Sequence, residues 1–399
     1  MKQQQILFVT TSNMATNPRL VKEVALALSL HYKVTVIAFI FNNWSKPLND
    51  SIKKQLGSTV NWIEISGDRK PFFPWLFSSL LQSICKKLVS LNLYNTAIIS
   101  QALQKRSVLI SQALKKCSKD KIDLIVAHNP GAFYPVYSFA QKNQIPFGID
   151  VEDYHPGEYK EDVTIKQYKN LFKNILPKAN YITHAAAPIG EEVLKDTFYQ
   201  GTILEVLNAF PNKEFEAITP IQKNTGILKI VWFSQHISKG RGLDELLQNW
   251  HSLKDLSIEL HLIGALDPSM NVWIDGFKNI IIHSPMTQSE LHQFLLSCDV
   301  GLALEDKFSN YNRDLCITNK IIAYYQAGLS IIATDTLGQQ SFFKRYQPNG
   351  SIIAPDELIK TIQELNPSMF INKAQPQLNW ETESKKLQTL WEQVASLKK

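Results

Sequence analysis

The stretch that decides the fold is CITNKIIAYYQAGLSIIATD, residues 316–335. It runs without a break from a polar loop through a short helix and a glycine turn into an apolar strand. Asn319 and Lys320 lie where the helix should begin, and the N–H groups of a helix N-terminus beside a cation favour an anion such as a diphosphate. Gly328 is placed to end the helix. Because residues 329–333 are typical of a buried parallel strand, we expect the loop before the helix at the carboxyl edge of a sheet, where open α/β folds bind ligands.

The alternation of strand and helix extends through the chain. At its start, a strand at 6–10, a helix at 18–30 and a strand at 33–39 predict a βαβ unit. Asn17 and Pro18 are good signals for the start of that helix. Further strands are predicted at 60–65, 123–127, 147–151 and 181–183, and a second series at 228–233, 257–263, 279–283, 300–304 and 329–333.

Length and composition indicate two α/β domains. The chain has 399 residues, 44% of them hydrophobic and 20% charged, which is typical of globular proteins. The periodic pattern lapses before residue 226. We therefore predict a first domain at 1–208, a linker at 209–226, a second domain at 227–375 and a C-terminal segment at 376–399. Its helix, predicted at 380–397, could dock on either domain.

Several classes of protein are disfavoured. The N-terminal run is interpreted as a first strand and not as a signal peptide. No window contains the roughly 18 consecutive apolar residues of a membrane-spanning helix. The cysteines Cys85, Cys117, Cys298 and Cys316 have no metal-ligand spacing, which favours reduced thiols and no structural zinc. We expect a cytoplasmic protein, either soluble or peripheral at the inner face of the membrane.

Charge is divided unevenly. Residues 1–224 contain 26 Lys and Arg against 18 Asp and Glu, and the rest of the chain contains 16 against 18. Residues 69–121, the basic arm, contain ten Lys and Arg against one acidic residue, Asp120, and include the apolar run PFFPWLF. One interpretation is a helical pair whose apolar face is core. The other is contact with an anionic membrane surface. Nucleic acid is disfavoured because interleaved stacking aromatics and a recognisable module are missing.

Four segments together resemble a known family: residues 11–38 (TSNMATNPRLVKEVALALSLHYKVTVIA), 123–153 (DLIVAHNPGAFYPVYSFAQKNQIPFGIDVED), 238–247 (SKGRGLDELL) and 319–335. In this order and spacing they are similar to retaining glycosyltransferases of the GT-B type, family 4 (glycosyl transferases group 1). The resemblance covers nearly the whole chain. It implies two facing Rossmann-like domains, each with a doubly wound parallel sheet, and a cleft between them. The second domain would hold the nucleotide-sugar donor, and the acceptor would lie mainly against the first.

Candidate catalytic residues follow two strands of the first domain. His128 comes at the end of the predicted strand 123–127, and a side chain at this edge faces the cleft of an α/β sheet. Similar enzymes place a His of this motif beside the transferred sugar. Asp150 and Glu152 form an acidic cluster after the next strand, suited to orienting an acceptor, stabilising positive charge on the sugar or, less favoured, binding a cation. The alternatives are a His that satisfies turn carbonyls, and a solvated or helix-capping loop.

The acceptor side is predicted from residues near the same edge. Asn17 and Arg19 lie at a helix N-terminus, where Arg19 could reach a phosphate or an acidic headgroup of the acceptor. His155 follows the acidic cluster. A plain first-turn arginine is an equal alternative for Arg19.

The donor diphosphate requires cations. Arg241 lies between Gly240 and Gly242, which let the backbone approach an anion at a predicted helix start. Similar enzymes have a basic residue here that contacts the diphosphate, with Lys239 as the alternative in this chain. A second family cation, usually Arg, falls near His236.

That departure weakens the phosphate site unless His236 is charged or Lys320, in the opening segment, compensates. The backbone N–H groups of Thr318 and Asn319 would also bind the diphosphate.

Two family carboxylates are missing. They normally lie eight residues apart around the donor loop, and the second binds the ribose. The matching positions are Leu315 and Ala323. Glu305 or Asp306, after the strand 300–304, is predicted to take over on the ribose side of the donor.

The resemblance therefore implies a retaining, hexosyltransferase-like glycosyltransferase. It would move a sugar from a nucleotide-diphosphate sugar, as co-substrate, to a hydroxyl of a lipid-linked or glycan acceptor. Assembly of surface polysaccharide, lipopolysaccharide or another glycoconjugate is the expected setting. Neither a cofactor nor a metal ion is expected. The alternative, motivated by Leu315, Ala323 and His236, is a degenerate GT-B protein that binds a partner or acts as a scaffold without catalysis. An epimerase or phosphorylase is less favoured.

Overall fold

The computed structural model describes residues 3–117, 122–216, 226–365 and 377–396. The chain divides into two compact units, Met1–Val206 with Ser384–Lys399, and Leu207–Glu383. In both, parallel strands alternate with helices. The strands are β1 (Gln5–Thr10), β2 (Lys33–Ile40), β3 (Asn61–Ser66), β4 (Leu124–His128), β5 (Phe147–Val151), β6 (Tyr181–His184), β7 (Thr202–Glu205), β8 (Leu228–Ile237), β9 (Ile258–Leu266), β10 (Ile280–His283), β11 (Val300–Ala303), β12 (Ser330–Thr334) and β13 (Gly350–Ile353).

The helices connect successive strands. Those of the first unit are α1 (Pro18–Ser29), α2 (Lys46–Leu56), α3 (Phe72–Ser90), α4 (Thr96–Leu103), α5 (Ser107–Lys116), α6 (Pro130–Asn143), α7 (Asp162–Ile175) and α8 (Ala187–Thr197). The later helices are α9 (Asp244–Gln248), α10 (Asn271–Ile274), α11 (Gln288–Leu295), α12 (Tyr311–Leu315), α13 (Asn319–Gln326), α14 (Leu337–Tyr346), α15 (Leu358–Gln363) and α16 (Trp380–Ser396). Among the described residues, no helix combines the length and apolarity that crossing a membrane requires.

In the first unit the strand order is β3-β2-β1-β4-β5-β6-β7, and neighbouring strands are parallel. β1, β4 and β5 are buried along their whole length, as expected for central strands covered on both faces. Their register brings polar residues together. Thr10 pairs with His128, His128 with Asp150, and Asp150 with Thr183. Side chains from four strands therefore meet at one edge of the sheet.

In the second unit the order is β10-β9-β8-β11-β12-β13, again parallel. β8 extends to Ile237, beyond the predicted end at residue 233, because an irregularity between Phe233 and His236 lets pairing with β9 resume. The predicted helix after the decisive loop is confirmed as α13. Gly328 follows it with a φ of 71°, a left-handed conformation that costs glycine little.

The predicted fold class of doubly wound parallel sheets is confirmed in both units. Two strands were not predicted. β7 and β13 are the edge strands of their sheets and are only partly buried, so neither carries a long apolar run.

The last helix, α16, begins in the second unit, and its residues from Ser384 onward belong to the first. There Trp391 is buried, with its ring 6.0 Å from that of Phe8, and its indole N–H donates to the Tyr181 hydroxyl at 3.1 Å. The predicted end of this helix, at residue 397, lies outside the described residues, as do 217–225 of the predicted linker and 118–121 of the basic arm.

Candidate functional site

A cluster of buried charges lies at the carboxyl ends of β4 and β5. His128, the last residue of β4, has Nε2 3.2 Å from a Glu23 carboxylate oxygen and Nδ1 3.3 Å from an Asp150 oxygen. Arg19 places Nη2 2.9 Å from the other Asp150 oxygen, which also accepts from the Thr183 hydroxyl at 2.6 Å. The charged side chains are at most 1% exposed. Two cations and two anions thus form a neutral group inside the first unit.

The cluster fixes the protonation of its members. Burial alone would lower the pKa of His128, but the facing carboxylates of Glu23 and Asp150 outweigh it and raise that pKa to about 10. Burial would raise the pKa of Asp150, but Arg19 and His128 hold it at about 2. At neutral pH His128 is therefore a cation whose two ring N–H groups face carboxylates.

Helix α1 supplies half of the cluster. The Asn17 side chain accepts from Leu20 N–H at 3.0 Å and Pro18 takes the first helical position, so α1 starts as predicted. Arg19 and Glu23 lie one turn apart on the buried face of the helix, and sequence reasoning did not select Glu23. The available signal was an i, i+4 pair of opposite charges on the same face as Leu20.

Arg19 lies elsewhere than the sequence suggested. Of the two alternatives for Arg19, contact with a ligand does not fit the structure, because the side chain is wholly buried. It binds Asp150 and Glu23 and donates from Nη1 to the Val206 carbonyl. The guanidinium offers no exposed atom to an acceptor, because it neutralises two carboxylates that burial would otherwise penalise.

Ligand atoms of Glu23, His128 and Asp150 all lie within 4.8 Å of one another, as the ligands of a metal ion do. The surrounding charges do not suit a cation. Arg19 already pairs with Asp150 at 2.9 Å, so a metal ion bound to that carboxylate would lie beside a guanidinium cation. This cluster is therefore better described as an ion-pair network than as a metal centre.

Glu152 and His155 follow β5. Glu152 is half-buried, and burial together with the carboxylates of Asp150 and Asp153 raises its pKa to about 7. A carboxyl group with this pKa can accept or release a proton at neutral pH. His155 has Nδ1 2.9 Å from the Asp153 carbonyl, and its ring stacks on Tyr168. Of the predicted catalytic residues, Glu152 is the one with exposed surface.

The second unit has a cavity of about 380 Å³ at the carboxyl edge of its sheet. One wall is the start of α13, where Thr318, Asn319 and Lys320 line it, and the ends of β8 and β9 form another. No side chain caps α13, so its first N–H groups are available. The Thr318 hydroxyl oxygen is buried and makes no hydrogen bond within the described residues. The three residues predicted from the opening segment therefore share one concave surface.

Lys320 and Glu305 form an ion pair. Lys320 Nζ lies 2.6 Å from one Glu305 oxygen, and Arg313 Nη1 lies 3.2 Å from the other. Glu305 and Asp306 line a second cavity, of about 220 Å³, with Gly240 and Gly242. Glu305, predicted on the ribose side, therefore contacts Lys320, predicted at the diphosphate. The two residues nevertheless line separate cavities. Arg313 was not predicted, since nothing in its local sequence indicates its partner.

The loop around Arg241 differs from the expectation in one respect. α9 begins at Asp244, so Arg241 lies in the turn before the helix and not at its start. Gly240 and Gly242 have φ values of 72° and 84°, which keep this turn out of the helical conformation. The Gly240 N–H is already bound, to the Asp244 carboxylate at 2.8 Å.

The two cations of this loop are exposed. Lys239 Nζ lies 4.8 Å from the centre of the Trp273 ring. Arg241 makes no ion pair or hydrogen bond with any residue that the structure describes.

The positions of the missing family carboxylates are core positions. Leu315 and Ala323 are 1% and 0% exposed, and Ala323 packs in an apolar cluster with neighbours that include Ile321, Tyr324 and Ile331. The apolar replacements therefore leave no polar gap.

No protein-family model matches the chain, and no curated protein matches it significantly. Solved structures do. A glycosyltransferase from Rickettsia africae ESF-5 is 14% identical, with a TM-score of 0.63 over 99% of both chains. A sucrose-phosphate synthase from Thermosynechococcus elongatus is 11% identical, with a TM-score of 0.65 over 99% of this chain and 100% of that one. Anabaena HepE in complex with UDP and glucose is 10% identical, with a TM-score of 0.64 over 98% of this chain and 100% of that one.

These likenesses extend over whole chains and match the two parallel sheets described above. The chain therefore has the GT-B fold, with two Rossmann-like units, as the sequence resemblance implied.

Proposed function

We propose that the protein is a glycosyltransferase that takes a sugar from a nucleoside-diphosphate sugar and transfers it to an acceptor hydroxyl. The observation that carries the proposal is the cavity at the start of α13. An uncapped helix N-terminus, the unpaired Thr318 hydroxyl and the Lys320 cation meet there at the carboxyl edge of a parallel sheet. The structures of HepE, which contain UDP or UDP-glucose, support this class of donor.

The proposed reaction retains the anomeric configuration. The acceptor oxygen bonds to the anomeric carbon on the face from which the diphosphate leaves, the bond from carbon to phosphate oxygen breaks, and the acceptor proton passes to the leaving phosphate. Neither a metal ion nor a cofactor takes part. Positive charge then has to stabilise the departing diphosphate, and Arg241, Lys320 and the N–H groups of α13 supply it. Lys239 is the alternative cation.

The first unit is proposed to bind the acceptor. His128 and Asp150 are enclosed, so they act by holding the loop after β5 in place, and Glu152 is the residue placed to contact substrate. His155 is the remaining acceptor-side candidate, because Asn17 is buried and its side chain caps α1. We propose a lipid-linked or glycan acceptor, in the assembly of surface polysaccharide or another glycoconjugate at the cytoplasmic side of the membrane.

One observation favours a second candidate, a GT-B protein that binds without catalysis. The family's two donor-loop carboxylates are replaced here by Leu315 and Ala323, both buried in the core. Loss of a charge-assisted hydrogen-bond pair to the ribose weakens donor binding by about ten- to a hundredfold. Glu305 and Asp306 are the proposed substitutes.

Turnover separates the two candidates. The purified chain is incubated with a panel of nucleotide sugars and a lipid or glycan acceptor fraction, and release of nucleoside diphosphate is measured. The enzyme proposal expects release that requires one donor, and a product whose anomeric configuration by NMR equals that of the donor. If a donor raises the melting temperature but no transfer occurs, the binding-protein candidate is the better account. An inverted product would refute the proposed mechanism.

A further inference from the structure

Helix α3 (Phe72–Ser90) has one face packed in the first unit and another left open. Ser78, Cys85 and Val89 form the buried face. Large apolar side chains with about half or more of their surface exposed lie elsewhere on the helix and at its end: Phe72 (54%), Phe73 (81%), Phe77 (49%), Leu80 (55%), Ile84 (57%) and Leu91 (57%). The apolar residues of this part of the basic arm are therefore only partly in the core of the first unit.

Apart from Phe72, the first residue of the helix, these exposed side chains form a stripe. At about 100° per residue they fall within about 60° of the helix circumference, centred roughly 130° from the buried face. An exposed apolar stripe of this length, unlike scattered single residues, marks an interaction surface. Aromatic side chains lie at its N-terminal end, where the rings of Phe72 and Phe73 are 5.9 Å apart.

The charge beside the stripe has one sign. Between Arg69 and Cys117 the sequence contains no Asp or Glu. Lys70 and Lys87 are exposed, and Lys87 lies about 50° around the helix from the centre of the stripe. Lys86 is exposed as well but lies about 150° from that centre, on the other side of the helix. The Arg69 guanidinium lies 5.3 Å from the centre of the Trp75 ring. Apolar and aromatic side chains bordered only by cations fit a surface that is apolar at depth and anionic at its boundary.

The apolar and basic surface around α3 ends near Tyr94. Tyr94 lines a small cavity together with Val163 of α7, and the exposed acidic residues Glu161 and Asp162 lie at the start of that helix. Negative charge would repel an anionic surface there. The candidate surface is therefore residues 69–94.

We propose that residues 69–94 dock the first unit on an anionic phospholipid bilayer, with α3 lying in the headgroup region. A second copy of the chain is a poor occupant, because it would bring the cations of both copies together without an acidic partner between them. Docking would place the acceptor-binding unit at the membrane, but the inference does not depend on glycosyl transfer.

The test is co-sedimentation of the full chain with vesicles. Vesicles of phosphatidylcholine and phosphatidylglycerol in equal parts should bind the protein, pure phosphatidylcholine vesicles should bind it far more weakly, and added salt should release it. Each lysine near an anionic surface is worth about fivefold in partitioning, so Lys70→Gln with Lys87→Gln should weaken binding by about 25-fold. Phe73→Ser with Phe77→Ser should weaken it by about tenfold or more.

Two matched variants test whether the loss of positive charge, or of an exposed apolar side chain, away from α3 also weakens vesicle binding. Lys254→Gln with Lys278→Gln removes two exposed lysines from the second unit, and Phe198→Ser removes an exposed phenylalanine from outside the stripe. Both should bind vesicles like the wild type. Wild-type binding by the α3 variants, or no binding to anionic vesicles at low salt, would overturn the proposal. A dimer in light scattering that the Phe73→Ser, Phe77→Ser variant abolishes would instead assign the stripe to self-association. None of these readouts measures sugar transfer, so a failure here leaves the proposed function intact.

Discussion

Replacing His128 with Gln should destabilise the first unit by an amount that depends on pH. The carboxylates of Glu23 and Asp150 overcome the effect of burial and raise the pKa of His128 to about 10 in the folded chain, against about 6.5 when it is unfolded. A group whose pKa rises on folding stabilises fully below its unfolded pKa, and this contribution disappears as the pH rises through the folded pKa. The contribution of His128 is therefore present at pH 6 and largely lost by about pH 10.

The size of the pH-dependent penalty of His128→Gln follows from the same two pKa values of His128. One pKa unit corresponds to about 1.4 kcal/mol, and linkage over this interval gives about 4 kcal/mol between pH 6 and pH 10. Urea titrations of the wild type and of His128→Gln at both pH values, followed by near-UV circular dichroism, measure the difference in the free energy of unfolding. The penalty of the substitution should be about 4 kcal/mol larger at pH 6 than at pH 10.

His184 provides a control of opposite sign. It is buried in the same unit, its Nδ1 lies 2.8 Å from the Ala186 carbonyl, and burial lowers its pKa to about 4. A histidine kept neutral by the fold costs stability only as the pH falls below its unfolded pKa of about 6.5. The penalty of His184→Gln should therefore be flat between pH 7 and pH 10. A penalty of His128→Gln that is equally flat would refute the charged His128.

Three further substitutions test the second unit. Ala323→Glu puts the family carboxylate back. It should cost about 3–5 kcal/mol of stability without tightening donor binding, because position 323 is wholly buried among apolar side chains. A thermally stable variant with higher donor affinity would contradict this expectation. Arg241→Ala should abolish turnover, because Arg241 is proposed to bind the diphosphate. It should change the free energy of unfolding by less than about 0.5 kcal/mol, since the side chain is exposed. Turnover equal to that of the wild type would contradict the assignment of Arg241 to the phosphate site. Glu305→Ala should raise the Michaelis constant for the donor, because Glu305 is proposed to bind the ribose and also pairs with Lys320. An unchanged Michaelis constant would contradict the proposed ribose contact.

The sequence predicted the central strands and the starts of α1 and α13 well, because both depend on local signals. Asn17 and Pro18 mark the start of α1, and the buried strands β4 and β5 are short apolar runs with a polar residue at or next to the end. β7 escaped prediction because an edge strand is half-exposed and needs no apolar run. Its place in the sheet is determined by pairing with β6, which is a tertiary property.

The site was predictable where the register of the strands determines it. His128 ends β4 and pairs with Asp150, the last residue but one of the neighbouring strand β5, so their proximity follows from the parallel sheet. Glu23 was missed because a charged residue on a helix is ordinarily solvated, and its burial depends on the positive charges of Arg19 and His128 opposite it. The partnership of Lys320 with Glu305 joins residues of different elements, which no local pattern specifies.

The most direct test of the proposed donor site is calorimetric titration of the full chain with nucleoside diphosphates of each common base. We expect one of them to bind, and Lys320→Gln to weaken that binding by about ten- to a hundredfold through loss of a charge-assisted contact. Lys278→Gln, which removes an exposed lysine from the same unit, should leave the affinity unchanged. Failure of every nucleoside diphosphate to bind, or equal affinity in the Lys320→Gln variant, would contradict the assignment of the cavity at the start of α13 as the donor site.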